Sequence, residues 1–334
     1  MSRAEYGSVL ALDLGKTGCR AALFDGGERV AEIVIPADGT ISDPGGSERA
    51  LATLRRAVEA LESRPAEVGS VCAGLAGVFE RWEAAPEIAG GLREISRSGE
   101  ALVTSDVFTS YCGALGGVRP GAVIAAGTGA VALAVGEDGG YARADGWGYL
   151  LGDEGGGYEV GRAGLASALR AHDGRGGSEE LLRRARERFG TLEGLAGWVH
   201  GSENPARVVA SFAAEVAAAA RDGDAEACGI WAEAGQALAK TLVAAARGVP
   251  GSKSLSWTGG LFSVGDLLRE PFERRVAEML PGARLAPPAG DALYGAALLA
   301  GAPEAAPAGL VHREGKATQG NRVEDRASVR GDSQ

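Results

Sequence analysis

Asp13 ends an apolar run and is followed by a short turn with the sequence GKTG. Gly15, Lys16 and Thr17 offer backbone N–H groups, a cation and a hydroxyl, which suit phosphate oxygens. A P-loop is excluded, because it needs a glycine where Leu10 stands and a helix where the residues CRAALF predict a strand. The pattern predicts a β-hairpin phosphate loop with a carboxylate at its mouth, and an ordinary hairpin turn is the alternative.

A second glycine turn, Gly127, Thr128 and Gly129, lies between two apolar runs. Glycine tolerates positive φ and leaves space for a ligand, so this turn is a second candidate phosphate loop. A third turn, with Gly259 and Gly260, follows the run SLSWT and could border a nucleoside. Taken alone, a glycine pair after a strand more often starts a helix.

Asp106 follows the apolar run ALVTS and precedes a predicted helix. A carboxylate at the C-terminal end of a strand lies where α/β proteins place their chemistry. It could accept the proton of a hydroxyl that attacks phosphorus. Aspartate is also a favoured helix N-cap, and for this residue alone the N-cap explanation is the stronger one.

Trp147, Gly148, Asp153 and Glu154 lie close together among glycines in the stretch DGWGYLLGDEGGG. Carboxylates accept hydrogen bonds from sugar hydroxyls, and an aromatic ring packs on the apolar face of a sugar. We expect this stretch to line a polyol pocket. The alternative is that Trp147 is a core aromatic beside a glycine turn.

The chain has a formal charge of −10, with 44 acidic and 34 basic residues. This balance argues against nucleic-acid and anionic-membrane partners, which need clustered Lys and Arg. The four cysteines form no CxxC pair, so neither a local metal motif nor a disulfide framework is expected. No apolar run reaches the ~20 residues needed to cross a bilayer, and the N-terminus lacks a signal-peptide core. We expect a soluble cytoplasmic protein.

Strand-like and helix-like segments alternate along the chain. Three strand-like runs near the N-terminus precede a predicted helix at 47–63, and a second block of strands with the same glycine turn begins about 110 residues later. The repeated order predicts an internal duplication. Alanine-rich stretches at 206–221 and 225–248 predict long helices, and small residues at 290–301 predict a helix that packs closely.

The 334 residues exceed the usual size of a single core, so two domains are expected. Their predicted bounds are 1–118 and 119–302, the second with helical additions. The remaining segment, 303–334, has many charges and little apolar periodicity, and we expect it to be disordered and dispensable.

The order of these motifs resembles that of one family, the N-acetylglucosamine kinases grouped with the BadF/BadG/BcrA/BcrD ATPases in the sugar kinase, Hsp70 and actin superfamily. The likeness covers residues 8 to 301 and is carried by DLGKTGCRAALFD, CAGLAG, VTSD, AAGTGAV, DGWGYLLGDEGGGYEVG, TGGLF and YGAALLA. GWG followed by GDEG is the most specific element. The resemblance implies an α/β fold in which two ribonuclease H-like (actin-like ATPase) domains flank an interdomain cleft.

The resemblance also implies a function, an ATP- and Mg²⁺-dependent kinase for an amino sugar. The expected substrate is N-acetylglucosamine, phosphorylated at the 6-hydroxyl, or glucosamine. Asp106 would be the general base, and Asp13 would be the carboxylate near Mg²⁺. The implied ATP-binding residues are Gly15, Lys16, Thr17, Gly127, Thr128, Gly129, Gly259 and Gly260. The implied sugar-binding residues are Asp106, Trp147, Gly148, Asp153 and Glu154.

Two positions depart from the family pattern. The family's sugar-binding asparagine has no counterpart in PADGTISDPGG at 36–46, so Thr40, Ser42 or Asp43 would replace it, and the N-acetyl preference stays open. Gly156 stands where a serine usually follows GDEG. Two alternatives to the kinase are an ATPase that activates a dehydratase or reductase through an iron–sulfur cluster and a non-catalytic sugar or nucleotide sensor. Whether the protein forms a homodimer is left open.

Overall fold

A computed structural model describes residues 7–16, 18–37, 39–61 and 67–315 of the chain. Its strands are β1 (Val9–Leu14), β2 (Gly18–Asp25), β3 (Glu28–Pro36), β4 (Val68–Leu75), β5 (Ser98–Ser105), β6 (Gly121–Ala126), β7 (Ala130–Val135), β8 (Tyr141–Asp145), β9 (Ser254–Thr258), β10 (Arg284–Leu285) and β11 (Val311–Gly315). Its α-helices are α1 (Gly46–Ala60), α2 (Ala85–Ser96), α3 (Asp106–Leu115), α4 (Gly157–His172), α5 (Glu179–Phe189), α6 (Leu195–Gly201), α7 (Pro205–Ala210), α8 (Ala213–Arg221), α9 (Ala225–Arg247), α10 (Asp266–Met279) and α11 (Ala292–Gly301). Short 3₁₀ turns cover Phe79–Ala84, Gly260–Val264 and Pro303–Ala305.

The strands form a six-stranded and a five-stranded sheet, which share one topology over five strands, and β11 is the additional strand of the first. The first has the order β11-β5-β4-β1-β2-β3 and the second the order β10-β9-β6-β7-β8. In each, a strand pairs antiparallel with the next strand along the chain and parallel with a strand that follows a crossover. The predicted internal duplication and the predicted fold class, with two ribonuclease H-like domains, are confirmed.

The strand β1 has an apolar sequence because both of its faces are covered. Leu10 and Leu12 enter a core shared with α1 and α2, whereas Val9 and Ala11 enter a core shared with α3 and α11. Successive side chains of a strand point to opposite faces, so VLALDL supplies both cores. The run ends at Asp13, which lies near the C-terminal end of this interior strand.

Two helices form a layer between the sheets. The helix α11 follows the second sheet in the chain but packs on β1 and β4 of the first. It also crosses α3 closely, since a side chain at Gly295 would overlap the backbone of Thr109 and Gly113. This contact confirms the expected close packing of the small-residue helix.

The chain crosses between the sheets twice, and the two crossings touch. One follows α3 and the other precedes α11, and the N–H of Ala289 donates to the carbonyl oxygen of Ala114 at 2.9 Å. We call the first sheet with α1 and α2 lobe I, and the second sheet with α4–α10 lobe II. The predicted domain boundary between residues 118 and 119 stays a prediction, although α11 lies on lobe I.

The segment after residue 302 corrects one prediction. The strand β11 pairs antiparallel with β5, and Leu310 just before it is fully buried. The expected disorder is therefore wrong for residues 303–315, because the open edge of β5 offers a partner that no local pattern reveals. Residues 316–334 lie outside the described part of the chain.

The helical addition of lobe II also differs from the prediction. The stretch 206–221 is two helices, α7 and α8, and the break between them buries Phe212 completely. The prediction for 225–248 matches α9. Within the described ranges, no helix is both long and apolar enough to cross a membrane.

Candidate active site

The first predicted phosphate loop is the tight turn between β1 and β2. The N–H of Gly15 donates to the carbonyl oxygen of Gly18 at 2.9 Å and closes the turn, and the carbonyl oxygen of Lys16 accepts from the N–H of Gly39 at 3.2 Å. Thr17 lies outside the described residues. Since a strand and not a helix follows, the loop is a hairpin, as predicted.

Asp13 forms an ion pair that the sequence did not predict. Arg20 faces it across the hairpin and donates to Asp13 Oδ2 from Nη2 at 2.7 Å and from Nε at 3.1 Å. Burial raises the pKa of Asp13, and the guanidinium of Arg20 acts in the opposite direction. A second carboxylate, Asp291 at the start of α11, accepts from Arg20 Nη1 at 3.1 Å.

The residues around Asp13 fit a magnesium ion that is held mainly by phosphates. Mg²⁺ bound with a nucleotide typically takes one or two protein carboxylates, with phosphate oxygens and water for the rest. Both contacts from Arg20 fall on Oδ2 of Asp13, so Oδ1 is not used by this ion pair. Among the described residues, no group of three or more His, Cys, Asp or Glu could form an all-protein metal site.

The second predicted phosphate loop joins β6 to β7 and is held by backbone hydrogen bonds. The N–H of Gly127 donates to the carbonyl oxygen of Gly129 at 2.9 Å, and the N–H groups of Gly157 and Tyr158 donate to the carbonyl oxygens of Gly127 and Thr128 at 2.8 and 2.9 Å. The start of α4 therefore holds the turn in place.

Only part of the predicted reason for glycine in this loop agrees with the structure, since the open space at Gly127 is as expected but the positive φ is not. Neither Gly127 nor Gly129 adopts positive φ. A side chain at Gly129 would overlap the carboxylate of Asp153, whereas nothing lies within 4 Å of a Cβ at Gly127. Gly129 is thus needed because Asp153 packs closely against it. Gly127 has open space beside its Cα, where a ligand could approach the backbone.

Asp145 organises the stretch that was predicted to bind a sugar. Its carboxylate accepts backbone N–H groups from Gly146 at 2.8 Å, Asp153 at 2.7 Å and Glu154 at 2.8 Å. Both Asp145 and Asp153 have φ of 62°, a left-handed conformation that these three bonds help to hold. The side chain of Glu154 is exposed.

Asp153 lies beneath the second phosphate loop and is only 8% exposed. Burial raises its pKa, the charge of Lys16 lowers it, and backbone N–H groups of Ala130 and Gly148 also stabilise the charged form. This carboxylate therefore bonds to the start of β7 and to the GWG stretch, and it lies within the electrostatic influence of Lys16. Its predicted contact with a sugar stays a prediction.

The third glycine turn lies against the second. Gly259 has φ of 101°, and a side chain there would overlap the backbone of Ala126, the residue before Gly127. A Cβ at Gly260 would meet no atom within 4 Å. The structure thus brings Gly259 and Gly260 beside the second phosphate loop, where the resemblance places adenosine.

Asp106 is the first residue of α3, but it is not the cap. Ser105 caps the helix, since its Oγ accepts the N–H of Phe108 at 3.1 Å, so the N-cap explanation for Asp106 is wrong. The pKa of Asp106 is raised to about 6, first by burial and then by the charges of Asp13 and Glu80, while the N–H of Val107 and the charge of Lys16 act in the opposite direction. The carboxylate therefore shares one electrostatic environment with Asp13 and Lys16.

Trp147 projects from the protein. This residue is 73% exposed, and Leu150 and Leu151 are 77% and 86% exposed. The N–H of Leu151 donates to the carbonyl oxygen of Gly148 at 3.0 Å, so these residues stand on a closed turn. The core explanation for Trp147 is wrong, and an exposed apolar group of this kind indicates a binding surface.

The residues expected to replace the family's asparagine lie near the first phosphate loop. The hydroxyls of Thr40 and Ser42 are 2.7 Å apart, and a side chain at Gly77, just after β4, would crowd both residues. Asp43 Oδ2 accepts the N–H of Thr40 at 2.6 Å and so is used within its own turn. Thr40 and Ser42 therefore offer hydroxyls at the strand next to Asp106.

Sequence reasoning missed Arg20 and Asp145. Arg20 could have been found by counting, because a hairpin closed between Gly15 and Gly18 puts position 20 opposite position 13. For Asp145 the signal was weaker. An acidic residue directly before GWG is compatible with many turn structures.

Comparison with known proteins shows the family of the chain. The model of the BadF/BadG/BcrA/BcrD ATPase family matches residues 10–300. The chain belongs to this family. An N-acetylmuramic acid/N-acetylglucosamine kinase from Clostridium acetobutylicum is 26% identical over 239 residues, which is 70% of this chain and 78% of the relative. An N-acetyl-D-glucosamine kinase from Dictyostelium discoideum is 26% identical over 246 residues, 72% of this chain and 77% of the relative.

A solved structure supports the family fold. A Chromobacterium violaceum protein, described as a candidate N-acetylglucosamine kinase, superposes with a TM-score of 0.64 at 27% identity. The match covers 88% of this chain and 99% of that protein. The two-lobed arrangement is therefore shared over nearly the whole of both chains.

Proposed function

We propose that this protein transfers the γ-phosphoryl group of ATP to a hydroxyl of an amino sugar, with N-acetylglucosamine at its 6-hydroxyl or glucosamine as the substrate. The protein is an ATP-dependent carbohydrate kinase by class, as its family and its relatives indicate. Both relatives carry N-acetylglucosamine in their names, which supports an amino sugar.

The observation that carries the proposal is the state of Asp106. Its carboxylate is released from capping by Ser105, and its pKa is raised to about 6. A general base works best when its pKa lies near the working pH, because it is then ionised and still basic enough to accept a proton. Asp106 would accept the proton of the sugar hydroxyl as that oxygen attacks phosphorus.

The other residues supply position and charge. The turns at Gly15–Lys16 and Gly127–Gly129 would hold the ATP phosphates, and Gly259 with Gly260 would border adenosine. Asp13 would be the carboxylate nearest Mg²⁺, which screens phosphate charge when bound. The Trp147 ring would pack on the sugar. Closure of the lobes would align the hydroxyl with the γ-phosphate and exclude water.

The test is coupled ADP release with Mg·ATP across glucosamine, N-acetylglucosamine, N-acetylmuramic acid, N-acetylmannosamine and glucose. The Asp106→Asn variant keeps the shape of the side chain and removes the base, so its turnover should fall by about 10²- to 10⁴-fold. Binding of ATP, measured by calorimetry, should be preserved.

A matched control is Asp266→Asn. Asp266 is also the first residue of a helix, α10, but its side chain is 66% exposed. Within the described part of the chain, its ion pair is with Arg269. Turnover of this variant should equal that of the parent. Near-normal turnover of Asp106→Asn would refute the role of the base, and no turnover with any sugar despite ATP binding would refute the kinase.

The burial of the cysteines weighs against the iron–sulfur alternative. Cys19, Cys72 and Cys112 are buried, and Cys228 is exposed. A cluster shared between subunits needs thiolates at a surface. Three of the four cysteines are therefore not available for it in this conformation.

A further inference from the structure

Arg143 links the two lobes through an ion pair. It belongs to β8 of lobe II, and its Nη1 lies 3.2 Å from Oε1 of Glu80. Glu80 belongs to the 3₁₀ turn Phe79–Ala84, which follows β4 of lobe I. The two side chains are 27% and 48% exposed, so the ion pair is partly shielded from solvent.

The same guanidinium binds the loop of residues 145–152, here called the GWG loop, which carries Trp147. Arg143 Nη2 donates to the carbonyl oxygen of Gly146 at 2.5 Å, and Nε donates to that of Asp145 at 3.2 Å. Arg143 Cζ lies 5.8 Å from the centre of the Trp147 ring and 6.0 Å from that of Phe79. One side chain thus contacts an aromatic ring from each lobe.

Glu80 also lies in the environment of Asp106. Its charge is among the causes that raise the pKa of Asp106, after burial and the charge of Asp13. The contacts of Arg143 therefore join a residue near the proposed base to the ring proposed to bind the sugar.

We propose that Arg143 is a positioning residue that holds the GWG loop against lobe I and so fixes the sugar-binding geometry. This rests on the proposed function, which assigns Trp147 to the sugar. The planar guanidinium donates in three directions and also lies over two rings, and a lysine ammonium cannot reproduce this combination. Among the described residues, Arg143 makes its hydrogen bonds and ring contacts with Glu80, Phe79 and residues 145–147 and not with the phosphate loops, so ATP binding should not depend on Arg143.

The test combines kinetics with hydrogen exchange of the parent, Arg143→Met, Arg143→Lys and Glu80→Gln. Loss of partly exposed ionic and cation–π contacts should raise the sugar KM by ~3- to 10-fold and leave the ATP KM unchanged. Backbone amides in 145–152 should exchange ~3- to 10-fold faster in Arg143→Met, while amides in 126–130 keep their protection. Arg143→Lys should behave like Arg143→Met and not like the parent.

Arg183→Met is the matched control. Arg183 pairs with Glu180 and Glu187 on α5, and its side chain is 48% exposed. This variant removes a similar ion pair in lobe II and should change neither KM nor exchange in the GWG loop. Glu80→Gln breaks the pair from lobe I, which keeps the test decisive even if Arg143→Met does not fold.

The outcomes separate the two proposals. Unchanged sugar KM and unchanged loop exchange would overturn the role of Arg143, as would an equal rise of both KM values with loss of protection in both loops. Faster exchange confined to 145–152, in a protein that phosphorylates no sugar, would support the positioning of the loop and refute the kinase.

Discussion

At the scale of single residues, the decisive feature is that Asp106 begins α3 without being its N-cap. Ser105 takes the cap of α3, so Asp106 keeps a carboxylate with one local bond, from the N–H of Val107 at 2.9 Å. Two neighbouring negative charges and burial make ionisation of this group harder. Burial and the nearby charges therefore destabilise the folded protein when Asp106 is ionised, and they also make its carboxylate a stronger base.

This environment predicts opposite pH dependences for activity and stability. The pKa of Asp106 is raised from 3.8 to about 6, so the folded state holds a proton between these values that the unfolded state has lost. Stability contributed by Asp106 is complete below about pH 4 and is lost as the pH rises through about 6, by at most about 3 kcal/mol. Activity that needs the ionised base should rise over the same range.

The measurement is kcat/KM for the sugar from pH 4.5 to 8, together with thermal unfolding of the parent and Asp106→Asn. We expect kcat/KM to increase with a slope of one below about pH 6. The melting temperature of Asp106→Asn should exceed that of the parent more at pH 7.5 than at pH 4.5. A constant difference between the two proteins would contradict the raised pKa.

At the scale of elements, the second phosphate loop depends on glycine for two separate reasons. Gly129 must lack a side chain because Asp153 fills the space below it, and Gly127 has open space around its Cα. The two positions are only two residues apart. They provide a matched pair of substitutions within one turn.

Gly129→Ala should displace Asp153 and loosen the turn, lowering the free energy of unfolding by roughly 1–3 kcal/mol, as overpacking does. Gly127→Ala should leave stability within about 0.5 kcal/mol but weaken ATP binding, because the methyl group would point into the space proposed for phosphate. Urea unfolding and ATP titration distinguish the two effects. Equal stability losses at both positions would show that the local packing is not as described.

At the scale of the whole molecule, both ends of the described chain build lobe I. The carbonyl oxygen of Leu310 accepts from the hydroxyl of Thr104 at 2.5 Å, and the Leu310 side chain is fully buried beside α3 and α11. The segment after 302, expected to be dispensable, thus closes the edge of the sheet.

Leu310→Ala should lower the free energy of unfolding by about 2–5 kcal/mol, because it removes buried methyl groups and leaves a cavity. Leu151→Ala is the control, since Leu151 is 86% exposed and its loss should cost under about 0.5 kcal/mol. Urea denaturation measures both. If Leu310→Ala lowers the free energy of unfolding no more than Leu151→Ala does, the segment after residue 302 is dispensable for stability.

The sequence was a good guide to features that depend on near neighbours. Apolar runs and glycine turns predicted the two blocks of strands and the first hairpin, because these signals act over a few residues. The strand β11 and the contact of Arg143 with Glu80 were not predicted, since the paired residues are about 210 and about 60 residues apart in sequence and neither segment has a distinctive pattern. Asp106 was found by its position after a strand, but its release from capping needed the observed bond to Ser105.

The late return of the chain to lobe I has a consequence for synthesis on the ribosome. The strand β5 leaves the ribosome long before β11, which must lie beside it. At about 5–20 residues per second, the roughly 200 intervening residues take on the order of 10–40 s to translate. During that interval the nascent chain presents a bare strand edge to chaperones and to neighbouring polypeptides. Slower translation of the last helices would lengthen this exposure, so codon choice there bears on the yield of folded protein.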